Sequence, residues 1–113
     1  LESARLTAVH GSTLTITPPS PAGFAMVSSV SSNFPQSAAS MILCYDVGLS
    51  PQLIVVWHGG AVHNLGNTPP TAANVPVGKV GLAAQNDGTL LIRNEYPNAL
   101  DLDYCISWIN SWR

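Results

Sequence analysis

An all-β fold is what these 113 residues predict: a single β-sandwich, jelly-roll-like or barrel domain of about eight or nine short antiparallel strands. Three observations lead there. Segments rich in β-branched and aromatic residues recur every 8–12 residues or so, divided by Gly, Pro, Asn and Asp. The C-terminal stretch 99–109 alternates, with Leu100, Leu102, Tyr104, Ile106 and Trp108 on one parity and Ala99, Asp101, Asp103, Cys105 and Ser107 on the other. Successive strand side chains point to opposite faces, so this stretch has one apolar and one more polar face. Finally, the two helix candidates, 36–41 and 70–74, lack a sustained apolar stripe.

Taken in order, residues 5–9 and 12–17 alternate around His10-Gly11 and predict a hairpin. Pro18, Pro19 and Pro21 end it, because proline cannot donate into a ladder. Residues 24–30 form a weaker strand candidate, with Phe24 and Met26 as its apolar members. The runs 41–46 and 53–57 are almost continuously apolar, the pattern of central strands buried on both faces. A strand near 61–65 follows the Gly59-Gly60 bend, and 66–76 is the longest loop. Residues 79–84 and 89–93 flank Asp87-Gly88, the strongest hairpin signal in the chain.

Composition narrows the function. Charged residues make up only 9% of the chain and the net charge is −2. A neutral, hydrogen-bonding surface with four basic residues offers no footprint for nucleic acid or an anionic membrane. No stretch approaches a membrane span of about 18 apolar residues, so no membrane insertion is expected. The chain opens at Leu1 without Met and without a signal peptide pattern, and reads as one domain, 1–113, excised from a longer protein.

Several constellations invite chemistry. Trp57-His58-Gly59-Gly60 looks like the strand-to-glycine element of a hydrolase oxyanion hole. No Gly-x-Ser-x-Gly elbow accompanies it, so a plain strand ending in a bend is the simpler reading. His58 and His63 are candidate metal ligands, with Asp46 or His10 as a third, but their parity does not make them converge. Asp101 and Asp103 share a strand face about 7 Å apart. That is half of a calcium site or a carboxylate pair of the glycosidase kind, and also the ordinary dress of a solvated or subunit-facing edge strand. No spacing supports catalysis, and no cofactor is expected.

Cys44, Trp57 and Cys105 resemble the Cys…Trp…Cys framework of immunoglobulin domains, whose core Trp packs on an inter-sheet disulfide. This chain departs from it: forty-three residues precede Cys44, eight follow Cys105, and Tyr104 adjoins Cys105 directly. Two buried free thiols are the favoured alternative.

As a whole the chain resembles the protruding domain of shrimp nodavirus-like capsid proteins. The resemblance covers all 113 residues, with Leu1-Glu2-Ser3 where a shell domain would hand over, Ser/Thr/Pro-rich loops, and a last strand reaching the chain end. It implies a non-enzymatic capsid spike at the virion surface, assembled in the host cytoplasm, whose partners are a second copy (a homodimer), the upstream shell domain and a host receptor or glycan. On that reading Asp101, Asp103, Trp108 and Trp112 are the expected dimer contact, and Asn67, Thr68, Thr71 and Asn74 the receptor-facing loop. A carbohydrate-binding or immunoglobulin-like binding module is the alternative function.

Overall fold

A computed structural model describes residues 2–30, 36–96 and 100–109. The described residues form nine strands: β1 (Glu2–Ala8), β2 (Thr13–Ile16), β3 (Ala22–Ser29), β4 (Met41–Asp46), β5 (Gln52–His58), β6 (Val62–Asn64), β7 (Val80–Ala84), β8 (Leu90–Asn94) and β9 (Leu102–Ile109). A short 3-10 helix, Gln36–Ala39, precedes β4. They pair into a five-stranded sheet, β1-β9-β3-β4-β5, and a four-stranded sheet, β2-β8-β7-β6. The fold is all-β, and its two sheets pack face to face as a sandwich.

Alternation decides what each strand gives to the core. β9 buries Leu102, Tyr104, Ile106 and Trp108, the apolar parity of its sequence. β4 contributes Met41, Leu43 and Tyr45, and β3 contributes Ala25 and Val27. From the other sheet come Val80, Leu82, Ala84, Leu90 and Ile92. The Trp108 ring meets Tyr45 edge-to-face at a centroid distance of 5.5 Å, the geometry that aromatic quadrupoles prefer. The Tyr104 hydroxyl donates to the Ala39 carbonyl at 2.9 Å, so a fully buried phenol is satisfied.

Asp87-Gly88 does turn the chain between β7 and β8, with Gly88 at φ 90°, where a side chain would be strained. The expected hairpin across His10-Gly11 does not form. β1 pairs with β9 and β2 with β8, in different sheets, so this turn is a corner between layers. Local alternation and a glycine look the same in both cases; only the partners differ.

Nor is β5 central: it is the edge of the five-stranded sheet, and its apolar run is buried on one side only. The pairing of β6 with β7 is parallel. A parallel neighbour can be reached only by carrying the chain back over a sheet face, which explains the long 66–76 connection. Val75 from that connection is buried and lies over Gly81 of β7, where any Cβ would overlap its Cγ2.

Asn94, at the end of β8, is fully buried. Its Nδ2 donates to the carbonyls of Ala8 and Leu100, both at 2.8 Å, and its Oδ1 accepts from the Tyr96 N–H at 2.9 Å. Its backbone accepts from Gly11 N–H and donates to Ser12 O, pinning the corner.

Replacing Asn94 by Ala or by the more isosteric Leu leaves these backbone groups buried without partners. Each variant should lose about 2–4 kcal/mol in urea unfolding, where a cavity effect alone would spare the Leu variant. Burial, with a smaller contribution from Tyr96, pushes the Tyr104 phenol above its ordinary value of 10.0. In alkali the unfolded chain then releases a proton that the folded chain keeps, so stability should fall as pH rises through about 10. Urea midpoints at about pH 9 and about pH 11 should show a fall that is shallower in Tyr104→Phe.

Candidate functional site

The residues singled out from the sequence scatter. Asp101 accepts from the His10 N–H at 2.9 Å, and Asp103 from the Thr7 hydroxyl at 2.8 Å, so both carboxylates help hold the neighbouring β1 segment. β9 is not an edge, because β1 covers its flank. Trp108 is only 5% exposed and its ring is committed to the core, which removes it from the expected dimer contact. Trp112 lies outside the described residues.

His58 ends β5, its Nδ1 2.6 Å from Gly59 O, while His63 lies on β6 in the other sheet. Among the described residues no three His, Cys, Asp or Glu side chains form a group able to hold a metal ion. At the Gly59-Gly60 bend, Gly59 N–H donates to Ser40 O and Ala61 N–H to Ala38 O, so these two amides already have acceptors.

In the loop, Asn74 Oδ1 accepts from Thr71 N–H and Thr71 Oγ1 from the amides of Ala73 and Asn74. Asn67 O accepts from Gln85 Nε2, and Thr68 N–H donates to Leu65 O. These contacts fold 66–76 onto itself and onto the four-stranded sheet. Thr68, Thr71 and Asn67 remain exposed.

The molecule's unusual surface is elsewhere, on the outer face of the five-stranded sheet. In β3 the small residues point inward, and Phe24 and Met26 point out, 47% and 43% exposed. Strand register assembles two rows. Ile109, Phe24, Cys44 and Ile54 stand side by side across β9, β3, β4 and β5. Met26, Ile42 and Trp57 form the adjoining row. A bulge shifts the β4–β5 register between Ile42 and Leu43, leaving Val56 without a counterpart. Val56 and Trp57 are thereby both exposed, at 59% and 47%.

Two rows of large apolar side chains on an uncovered sheet face are what the sequence reading missed. The signal lies in the unbroken apolar runs of β4 and β5, a pattern that burial on both faces inside the chain would produce equally well. The rows contain no charged residue; Arg5 and Asp103 stand on the β1–β9 flank and Asp46 one row beyond.

Cys44 and Cys105 lie half-exposed on this same face, as free thiols. They flank β3, opposite Phe24 and Ser28 respectively. Sheet spacings of about 4.8 Å between strands and 3.4 Å per residue put them roughly 17 Å apart. A disulfide needs Cα atoms within about 7 Å, so the immunoglobulin framework is not built here. Intact mass after maleimide treatment of the folded chain should show two labels and no internal cross-link. Comparison with family models, curated proteins and solved structures returns no match for this chain.

Proposed function

We propose that this chain is a structural and adhesive domain of the capsid-protrusion kind, which works by pairing with a second copy through the outer face of its five-stranded sheet. The observation behind this is the double apolar row centred on Phe24, Met26, Ile54 and Trp57. Those side chains with Val56 and Ile109 expose on the order of 500 Å², near the top of the roughly 300–600 Å² that lone chains leave bare. With a polar rim such a patch approaches the 800 Å² or so that each partner gives to an ordinary stable contact.

A second copy suits this face better than an unlike partner does. A twofold contact uses the same patch on both copies, so a charge close to its axis would oppose itself. The rows have none, and the polar residues Ser28, Ser107, Asp46 and Gln52 stand around them. On this reading the domain is non-enzymatic and stands at a virion surface, joined to an upstream shell domain. The surface left outside the contact, including Asn67, Thr68 and Thr71, would face a host receptor.

Light scattering behind size exclusion, over a hundredfold range of concentration, tests the pairing directly. A dimer is expected. Trp57→Ala should weaken it by about 2 kcal/mol, roughly thirtyfold, while leaving the urea midpoint unchanged at concentrations dilute enough for the monomer, because that ring contributes little to the core. A monomer at every concentration overturns the proposal.

A further inference from the structure

At the rim of the apolar rows the same face ends in a groove that shares Phe24 and Ile54 with the self-contact and extends past it to Ala22, Asp46 and Gln52. Ala22, Asp46 and Gln52 form the next row across β3, β4 and β5. Between it and the row of Phe24, Cys44 and Ile54 lies an open groove of about 260 Å³. Phe24 and Ile54 stand on the flanking strands, with the smaller Cys44 and Asp46 on the strand between them. The Asp46 carboxylate and the Gln52 amide face each other across β4 and β5, both exposed. Neither side chain is drawn into a hydrogen bond with another described residue.

We propose that this groove binds one neutral pyranose ring. Such a ring has an apolar C–H face, which fits against the Phe24 ring and the Ile54 side chain, and an edge of hydroxyls that donate and accept. Asp46 supplies acceptors, and Gln52 supplies two N–H donors and a carbonyl, so the pair matches hydroxyls in both roles. A lysine or arginine head would use the carboxylate and the Gln52 carbonyl but give the two amide N–H donors no acceptor. The groove is slightly smaller than the 300–1,000 Å³ or so of sites for larger ligands, which limits it to about one ring. It lies at the rim of the apolar face, between the row of Cys44 and the row of Asp46, so its Asp46–Gln52 side stays outside a contact centred on the two apolar rows.

Neutral methyl glycosides of glucose, galactose, mannose and N-acetylglucosamine are the probes, titrated into the isotope-labelled chain and followed by NMR. At least one should move the amides of Gly23 and Phe24 and the Gln52 side-chain amide, with millimolar affinity of about −4 kcal/mol. Asp46→Ala and Gln52→Ala should each weaken that binding roughly tenfold or more, with the amide spectrum away from the groove preserved. Silence from all four glycosides, or binding indifferent to both variants, overturns the site. So does N-acetyl-lysine methylamide moving the same signals while the glycosides do not. Trp57→Ala separates the two proposals: glycoside binding that persists when the dimer is lost shows that the site belongs to the single chain, and binding lost with the dimer overturns it.

Discussion

A sandwich whose strands change sheet must cross its own core boundary, and at each crossing backbone groups lose the ladder that would satisfy them. Asn94 answers this at two crossings at once. It bonds Ala8 O, where the chain leaves the five-stranded sheet, and Leu100 O, where it returns to form β9. Its main chain holds Gly11 and Ser12, so the β1–β2 corner, the end of β8 and the approach to β9 share one buried amide. Placement of β1 against β9 depends on both of those ends being fixed. By contrast, Ser29 Oγ is buried without a partner among the described residues, a small cost that the surrounding packing carries.

With the layers fixed, the two outer faces meet different fates. The parallel pairing of β6 with β7 obliges the 66–76 connection to cross the four-stranded sheet, and Val75 seals β7 above Gly81. Gly81 and Ala83 are therefore buried although they point away from the core. Nothing equivalent crosses the five-stranded sheet among the described residues. Its strands are joined to one another by antiparallel pairing alone, and Phe24, Met26, Ile54, Val56 and Trp57 stay in solvent. The contrast leaves this face open, and it is the face on which the proposals of a second copy and of a small polar-rimmed site rest.

Side-chain size sharpens the point. β3 places Ala25 and Val27 inward and Phe24 and Met26 outward, the reverse of what core packing alone would select. Large aromatics and Met left outward offer contact area at modest entropic cost, as association surfaces use them. The length of the 66–76 loop follows from the parallel pairing of β6 with β7, and the outer side of β4 and β5, whose apolar runs read as fully buried, is left open.

Alternation and turn chemistry are local, and they determined the strands themselves: the β9 parity from Leu102 to Trp108, the β7–β8 hairpin at Asp87-Gly88, and an all-β fold of about nine strands. Pairing is not local. Ser12–Ile16 carries the same pattern whether it folds back on β1 or joins β8, and Gln52–His58 reads identically as a central strand or as an edge with a bare apolar side. Asn94 looks in the sequence like any turn residue at a strand end. Only the tertiary structure decided which faces are covered and which polar groups are buried, because both depend on strands brought together from distant parts of the chain.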